Sequence, residues 1–378
     1  MKIVQTNKAY YPLIGGMETV VKNLCEGLAQ IDTINIEAIV CNTKRTLFLR
    51  KENVRNVPVV YVPTWTRISS LPISPMYPFH LSQMRGDILH IHEPFPLADI
   101  SFLLIPHFQK RFTRIVVSWH SDIVRQQWAL KIYRPFLKKF LESVDKIIVS
   151  APALIDNSEF LSGYRNKCEV IPLGLDIAWS LNGSTRKQRV NQIRNKYSTP
   201  ILLFVGRLVY YKGIQYLIEA MKVVPDAALI IIGYGPLENQ IKKQIKKLHL
   251  QGRVQIIPFL ADEELHAFYE ACDLFVLPST ERSEAFGLVQ VEAMACAKPI
   301  ISTELGTGTS FVNQHNVTGL VVPPKNTQVL AEAIIQLLGD ETLRSRLGNN
   351  AQERAFQEFT VEKMVHRTYE IYKALLSE

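Results

Sequence analysis

Short apolar runs alternate with amphipathic stretches along nearly the whole chain. Several of the runs are continuously apolar, which is typical of parallel strands whose two faces are both covered by helices. In the first half, the pattern predicts strands at 2–6, 34–40, 57–62, 87–92, 114–119, 145–150 and 168–173. Helical periodicity lies between them, most clearly over 17–31 and 131–144. This alternation predicts a doubly wound α/β domain.

The pattern breaks in a polar, basic stretch and then restarts. The second half predicts strands at 200–205, 227–232, 253–258, 273–278, 298–302 and 319–323. We therefore expect two α/β domains with a cleft between them. The expected boundaries are a first domain over 1–176, a linker over 177–199, a second domain over 200–358 and a last helix over 359–378. That last helix has no obvious place in the second sheet, so we expect it to pack back on the first domain.

Composition narrows the class of protein. The chain has 378 residues, of which 47% are hydrophobic and 21% charged, values that suit two globular domains and exclude a fibrous or disordered protein. The first residues do not resemble a signal peptide, and no run of 18 apolar residues occurs, so we expect a cytoplasmic protein. The five cysteines include no C-x-x-C pair, which argues against a disulfide framework and against a zinc site.

The net charge of +8 suggests an anionic partner, which could be a phosphorylated ligand, an acidic membrane surface or nucleic acid. No nucleic-acid-binding motif accompanies it, so a nucleic-acid-binding protein is the least favoured interpretation. Within 131–140, Lys138, Lys139 and other cations interleave with apolar residues. Such a stretch fits an amphipathic helix on an anionic membrane, and it fits equally a core-packed helix with a solvated basic face.

Loops that follow strands are where an open α/β sheet binds its ligands. Gly15 and Gly16 stand directly before the first helix, as a close approach to an anion would require, although a tight turn explains them as well. Arg207 and Lys212 follow the strand at 200–205, where they could neutralise a pyrophosphate or be ordinary surface cations. The Gly-x-Gly at 233–235 lacks the rest of the dinucleotide pattern, which argues against an NAD enzyme.

The segment 277–303 carries two carboxylates at a helix start. Glu284 lies in the loop after a strand, and Glu292 is placed on the second turn of the following helix. A carboxylate accepts two hydrogen bonds from a vicinal diol and is a natural reader of a ribose or another sugar. The structural alternatives are a carboxylate that complements the helix dipole and a solvated helix face.

The stretch from Glu284 to Glu292 resembles the E-x7-E motif of the retaining glycosyltransferases with the GT-B fold. Further stretches stand in the order that this family shows: 15–18, 171–176, 206–208, 212–213 and 318–323. The resemblance covers nearly the whole chain. It implies the GT-B fold, in which two Rossmann-like domains face each other across a cleft.

The resemblance also implies roles for particular residues. Arg207 and Lys212 would bind the diphosphate of the donor, and Glu292 its ribose. Glu284 would hydrogen-bond the transferring sugar, and His120 would contact that sugar near its reacting carbon. Gly16 would let the first-domain loop approach the donor. In binding this sugar, Glu284 would be assisted by the backbone N–H groups of Phe286, Gly287 and Leu288.

The implied reaction is sugar transfer with retention at the anomeric carbon, without a metal or other cofactor. Departures from the family pattern at Tyr210, Tyr211, Ala297 and 304–310 bear on the donor sugar. The chain is similar to enzymes of bacterial O-antigen and surface-polysaccharide synthesis. This similarity favours a GDP-linked mannose or 6-deoxyhexose donor. It also favours a polyprenyl-diphosphate-linked or oligosaccharide acceptor at the inner face of the cytoplasmic membrane. A UDP-sugar-dependent transferase and a nucleotide-sugar 2-epimerase remain the alternatives.

Overall fold

The computed structural model describes residues 1–13, 15–68, 71–105, 108–122, 127–197 and 199–377. The chain folds as two compact units, the first formed by 1–174 together with the segment from Val361 onward, and the second by 175–360. Each unit is built on a parallel sheet flanked by helices, so the α/β class expected from the hydrophobic pattern is confirmed.

The first unit contains an eight-stranded sheet with the order β10-β9-β8-β7-β1-β2-β4-β3, in which only the edge strand β3 runs antiparallel. A separate hairpin pairs β5 with β6. The strands of this unit are β1 (Lys2–Asn7), β2 (Asn35–Cys41), β3 (Arg50–Val54), β4 (Val57–Val62), β5 (Thr66–Ile68), β6 (Leu71–Ile73), β7 (Gly86–Glu93), β8 (Phe112–Trp119), β9 (Lys146–Val149) and β10 (Cys168–Val170).

Five helices connect these strands, namely α1 (Gly16–Leu28), α2 (Tyr77–Gln83), α3 (Pro96–Leu104), α4 (Gln127–Ser143) and α5 (Pro152–Asn157). Along α4, Tyr133 and Leu137 are buried, whereas Lys138 and Lys139 are exposed. The helix therefore packs on the core with its apolar side and leaves a solvated basic face. The hydrophobic pattern did not predict β3, β5 or β6, because these short strands lie at an edge or in a hairpin where most side chains are exposed.

The second unit contains a six-stranded, wholly parallel sheet with the order β13-β12-β11-β14-β15-β16. Every residue of β11, β12, β14 and β15 is buried, because helices cover both faces. Its strands are β11 (Ile201–Val205), β12 (Ala228–Ile232), β13 (Val254–Ile257), β14 (Leu274–Leu277), β15 (Ile300–Thr303) and β16 (Gly319–Val322).

The helices of the second unit begin inside the segment that the sequence presents as a linker. Within 177–199, a 3-10 helix leads into α6, which packs against α9, and Arg186 forms an ion pair with Glu270 at 2.6 Å. The helices are α6 (Lys187–Lys196), α7 (Ile214–Ala220), α8 (Glu238–Lys247), α9 (Asp262–Ala271), α10 (Leu288–Ala295), α11 (Thr309–Val312), α12 (Thr327–Gly339) and α13 (Glu341–Glu358).

The last helix, α14 (Val361–Ser377), belongs to the first unit. It packs against α1, and Val365 lies so close to Gly27 that a Cβ there would come within 2.5 Å of the valine side chain. Tyr372 of α14 is fully buried and reaches the polar core of the first sheet.

Candidate active site

The loops that follow β11 and β14 are neighbours. These two strands are adjacent in the second sheet, yet the chain leaves β11 towards β12 on one side and enters β15 from β14 on the other. The position where the strand order reverses in this way leaves a crevice at the carboxyl ends of the strands, which is where open α/β sheets bind ligands. Arg207 and Lys212 lie on the first loop and Glu284 on the second.

Close backbone contacts fix the two loops to each other. The Thr280 N–H donates to the Tyr211 carbonyl at 2.7 Å. Gly213 has a φ of 68°, and a Cβ at this position would lie 1.9 Å from the carbonyl oxygen of Pro278. Only glycine combines that left-handed conformation with such an approach. The Lys212-Gly213 pair therefore matters as a unit, since the glycine allows the lysine to reach the second loop.

Lys212 and Glu284 form a buried ion pair. The Lys212 Nζ lies 2.6 Å from the Glu284 Oε2, and about a tenth of each side chain is exposed. Ser279 Oγ donates to the same carboxylate oxygen at 2.9 Å. Within the described part of the chain, both contacts are on Oε2, so Oε1 remains available to a ligand. The ammonium group has three N–H donors, and its pairing with Glu284 leaves donors for an anion.

Arg207 differs from Lys212 in its exposure. Its side chain is exposed, and the described residues offer it no ion pair. The structure thus places one buried cation and one exposed cation on the same loop after β11. An exposed guanidinium and a buried ammonium on one loop are suited to bind an anion that arrives from solvent.

The start of α10 lies directly after Glu284. Gly287 has a φ of 76° and precedes the first helical residue, Leu288, while Phe286 is buried. The Glu284 carbonyl accepts a hydrogen bond from Thr307 Oγ1 at 2.8 Å, which holds the loop in place. Because a helix start has no preceding carbonyls for its first N–H groups, this end of α10 offers donors and a positive dipole end.

Glu292 is half-buried on the second turn of α10, where its Oε2 accepts a hydrogen bond from the Tyr269 hydroxyl at 2.6 Å. Desolvation raises the pKa of Glu292 to about 7, and the Tyr269 hydrogen bond opposes that rise. The sequence indicated the position of this carboxylate but not its partner, because Tyr269 lies on α9, more than twenty residues earlier in the chain.

In the first unit, His120 stands immediately after β8 and is buried. Its Nε2 lies 3.0 Å from Nδ1 of His92, whose Nε2 lies 2.8 Å from Oε1 of Gln5. Gln5 in turn donates from Nε2 to the Tyr372 hydroxyl at 3.0 Å. Since an amide oxygen only accepts, His92 carries its proton on Nε2, and its Nδ1 accepts from His120. His120 is thereby fixed as the tautomer protonated on Nε2.

The chain of hydrogen bonds continues beyond Tyr372. His90 Nδ1 lies 2.5 Å from the Tyr372 hydroxyl, and His90 Nε2 lies 2.8 Å from Ser118 Oγ. Burial lowers the pKa of His90 to about 3 and that of His120 to about 4, and it also lowers that of His92. All three imidazoles are therefore neutral at pH 7. We call this arrangement, from His120 to Ser118, the histidine chain.

Most members of the histidine chain were not predicted from the sequence. His90 and His92 are two residues apart on β7 and so share one face of the strand, which is a signal that the sequence contains. Nothing comparable singles out Gln5 or Tyr372, which lie more than 360 residues apart. A second polar group was also missed: the Phe95 N–H donates to buried Glu93 at 2.7 Å, and burial raises the pKa of nearby Asp99.

Gly16 is the first residue of α1, and the extended Gly15 precedes it. Gly16 and His120 belong to the first unit, whereas the two cations after β11 and the two carboxylates around α10 belong to the second. The structure thus brings Lys212 and Glu284 into contact, and it places Glu292 beside Tyr269.

Among the described residues, none of the helices is long and apolar enough to cross a membrane. In the same part of the chain, no three His, Cys, Asp or Glu side chains group together as a metal site would require.

Comparisons with known proteins agree with this geometry. Residues 14–179 match the model of Glycosyltransferase Family 4, and residues 185–354 match that of the Glycosyl transferases group 1. The O-antigen chain mannosyltransferase C of Escherichia coli is 35% identical over 379 residues, which is 100% of this chain and 99% of that protein.

A D-rhamnosyltransferase of Pseudomonas aeruginosa, WbpZ, is 37% identical over 73% of this chain and 70% of its own. The crystal structure of HepE from Anabaena in complex with UDP matches 99% of this chain and 100% of its own, with a TM-score of 0.79 and 21% identity. The full-length relative and the two matching models show that the chain belongs to the glycosyltransferases of family 4 and group 1, with the GT-B fold.

Proposed function

We propose that this glycosyltransferase moves mannose, or a related 6-deoxyhexose, from a GDP-linked donor to a lipid-linked or oligosaccharide acceptor in the synthesis of a bacterial surface polysaccharide. The observation that carries the proposal is the ion pair of Lys212 with Glu284, with Arg207 on the same loop as Lys212, where the order of the second sheet reverses. The names of the two curated relatives favour mannose and rhamnose over other sugars.

The reaction needs stabilisation of the leaving diphosphate, and the site supplies it with fixed charges. When the bond between the sugar and the phosphate breaks, negative charge develops on the diphosphate. We assign Arg207 and Lys212 to this charge, together with the N–H groups at the start of α10 from Phe286 to Leu288. These groups suffice electrostatically without a divalent ion, so we expect transfer to proceed in EDTA.

We assign Glu284 to the hydroxyl groups of the transferring sugar and Glu292 to the ribose. Glu284 Oε2 already accepts from Ser279 and Lys212, which lowers the nucleophilicity of this carboxylate and suits a hydrogen-bonding role. If so, Glu284→Gln keeps an acceptor of the same shape and retains part of the activity. If Glu284 were instead the nucleophile, Glu284→Gln would abolish transfer as fully as Glu284→Ala. A covalent glycosyl-enzyme would then be trapped with a slow fluorinated donor.

We assign His120 and Gly16, both of the first unit, to contact with the sugar of the donor. A neutral imidazole can hydrogen-bond an uncharged hydroxyl without adding a positive charge near the reacting carbon, where positive charge develops in the transition state. The lowered pKa of His120, about 4, keeps it in this neutral form at cellular pH.

Calorimetric titration with GDP, UDP, ADP and dTDP in EDTA tests the donor. Selective binding of GDP supports the proposal, and transfer from GDP-mannose with retained anomeric configuration, read by NMR of the product, completes it. Selective binding of UDP would move the assignment to a UDP-sugar-dependent transferase, the alternative favoured by the UDP complex of HepE. Binding of none of the four would contradict the diphosphate site itself.

We place the reaction in the cytoplasm, at the inner face of the membrane that carries the lipid-linked acceptor. The basic face of α4 is the stretch that the sequence indicates for such a contact. Release of a free isomerised sugar, without an acceptor, would instead identify a nucleotide-sugar 2-epimerase, an activity that the family relatives do not favour.

A further inference from the structure

Exposed apolar side chains are concentrated on one part of the first unit. Among the described residues, eight of the nineteen exposed large apolar side chains lie between 47 and 79. Scattered apolar residues are ordinary on a protein surface, whereas a contiguous group marks an interaction site. The six that carry the argument, called the apolar patch, are Leu47, Phe48, Trp65, Ile68, Met76 and Phe79.

Backbone contacts hold these segments side by side. The Thr46 N–H donates to the Thr64 carbonyl, and the Trp65 N–H donates to the Ile73 carbonyl, both at 2.9 Å. Ser74 Oγ donates to the Pro63 carbonyl at 2.6 Å, just before α2 begins. The loop before β3, the β5–β6 hairpin and the start of α2 therefore form one continuous surface. Phe48, with 81% of its surface exposed, is the most exposed of the six.

Positive charge surrounds the apolar patch. Residues 41–85 contain seven Lys or Arg and one Asp or Glu, a net charge of +6, against +8 for the whole chain. Lys44 and Arg45 precede Leu47, separated from it by Thr46, and Arg50 and Lys51 follow Leu49; all four cations are exposed. Exposed apolar side chains bounded by cations match the interface of an anionic bilayer, where apolar groups enter the acyl boundary and cations meet the headgroups.

The α4 helix is a weaker candidate for the same contact. Its apolar residues Tyr133 and Leu137 are buried in the core, and its cation Arg134 is paired with Glu159. Ion pairing does not distinguish the two surfaces, since Arg50 beside the apolar patch is also paired, with Glu52 at 3.1 Å. What distinguishes α4 is its smaller exposed apolar area, which among its described side chains is that of Ile132 and Phe136.

We infer that the apolar patch docks this protein on an anionic lipid bilayer. Leu47 and Phe48 enter the interface, and Lys44 and Arg45 contact the anionic headgroups. A protein partner would have to supply several compensating acidic groups, whereas an anionic bilayer supplies them everywhere on its surface. The inference deepens the membrane contact of the proposed function by naming the surface, and it rests on that function only for its purpose, which is access to a lipid-linked acceptor.

The test is co-sedimentation of the full chain with vesicles of phosphatidylglycerol and phosphatidylcholine, compared with vesicles of phosphatidylcholine alone. We expect binding to the first and little to the second. Phe48→Ser should weaken binding about tenfold, and the pair Lys44→Glu and Arg45→Glu at least about thirty-fold. Because these side chains are exposed, the variants should keep the fold, and their circular dichroism spectra should match that of the unchanged protein.

Phe259→Ser in the second unit is the matched control, because Phe259 is 72% exposed and lies outside the patch. It should bind vesicles like the unchanged protein. Equal loss in Phe259→Ser, or loss only in Lys138→Glu with Lys139→Glu on α4, would overturn the inference. Normal vesicle binding by Phe48→Ser, with a dimer lost in light scattering, would also overturn it and assign the patch to a second copy of the chain.

The readout separates this inference from the proposed function, because vesicle binding needs no catalysis. Transfer to a water-soluble oligosaccharide acceptor should be unaffected by Phe48→Ser. A chain that transfers sugar but does not bind vesicles would contradict the docking surface alone. A chain that binds vesicles through the patch but transfers no sugar would contradict the proposed function alone.

Discussion

The buried polar groups that contact His120 and its neighbours in the first unit form an uncharged chain, whereas those at the candidate site of the second unit meet as ions. His120, His92 and their partners exchange hydrogen bonds between neutral groups, and burial keeps them neutral. Lys212 and Glu284 instead face each other as opposite charges at 2.6 Å. The difference follows from position, because the ion pair lies at the carboxyl end of the sheet beside solvent and the histidine chain runs into the core.

The comparison shows two ways of preparing a polar site. A neutral chain fixes the orientation and tautomer of His120 without bringing charge into the core, where an unpaired ion is costly. An ion pair holds Lys212 ready for an anion, and the arriving diphosphate can replace part of the interaction with Glu284.

Removal of one partner of the ion pair should have the largest effect. Lys212→Ala and Glu284→Ala should each abolish transfer and lower the free energy of unfolding by about 3–5 kcal/mol, since each leaves an uncompensated buried charge. Denaturant unfolding and a transfer assay measure the two effects. The double variant Lys212→Met with Glu284→Leu should recover much of the stability but no activity.

The exposed pair Lys325–Glu281, 3.0 Å apart, is the control for this prediction. Its loss should change neither stability nor activity measurably, because surface ion pairs contribute little. Near-normal transfer in either alanine variant of the buried pair would contradict the site.

Acidification should destabilise the histidine chain. The folded-state pKa values of its histidines are below the ordinary 6.5 of an unfolded chain, so the unfolded state binds protons first and stability falls as the pH drops below about 6.5. At pH 5, keeping His90 and His120 neutral, with pKa values of about 3 and about 4, costs about 2 kcal/mol for each residue. Urea unfolding at pH 7 and at pH 5 measures the fall.

In His92→Gln, which removes one histidine of the histidine chain, the free energy of unfolding should fall less steeply between pH 7 and pH 5. This holds whatever the substitution does to stability at pH 7. The comparison with the unchanged protein is needed because the raised pKa values of Glu93 and Asp99 act in the opposite direction. An equal slope in both proteins would show that the histidine chain does not titrate as a buried neutral unit.

Loss of the Tyr372 hydroxyl should break the histidine chain in its middle. Tyr372→Phe leaves Gln5 Nε2 and His90 Nδ1 without their shared partner, and we expect a loss of about 1–3 kcal/mol in the free energy of unfolding. Tyr369→Phe on the same helix is the matched control, because its hydroxyl makes only an exposed 3.5 Å contact with Thr33.

Transfer by Tyr372→Phe should fall mainly through kcat, because His120 loses its fixed orientation while donor binding by the second unit is kept. Equal behaviour of Tyr372→Phe and Tyr369→Phe would rule out a role for α14 in positioning His120.

The smallest expected effect concerns Glu292. The Tyr269 hydrogen bond favours its ionised form, so Tyr269→Phe should move its pKa above 7. If the ionised carboxylate reads the ribose, binding of GDP should strengthen as the pH rises through 7, and the variant should shift this rise upward. Calorimetry between pH 6 and pH 8 measures it, and an unshifted profile would separate Glu292 from ribose binding.

The raised pKa of Glu292 also makes stability depend on pH, in the direction opposite to that of the histidine chain. A carboxyl whose folded pKa is raised to about 7 loses its contribution as the pH rises from about 4.5 through 7. The two polar groups thus respond to pH in opposite directions, although both are desolvated.

The local sequence predicted the loops of the site and every strand of the two large sheets except β3. Continuous apolar runs such as 201–205 can be buried on both faces only in a covered parallel sheet. The cations after β11 and the carboxylates around α10 could be read from the sequence because they stand at loop and helix starts, where position along the chain predicts position on the sheet.

The contacts between distant side chains could not be predicted from the sequence, because they depend on how the elements pack. The contact between Lys212 and Glu284 depends on the adjacency of β11 and β14, which are separated by two strands and three helices along the chain. The histidine chain depends on α14 returning to the first unit, so that Tyr372 meets Gln5 and His90. Periodicity reports the environment of one residue at a time, whereas a buried hydrogen bond between distant residues depends on packing, and packing exists only once the chain has folded.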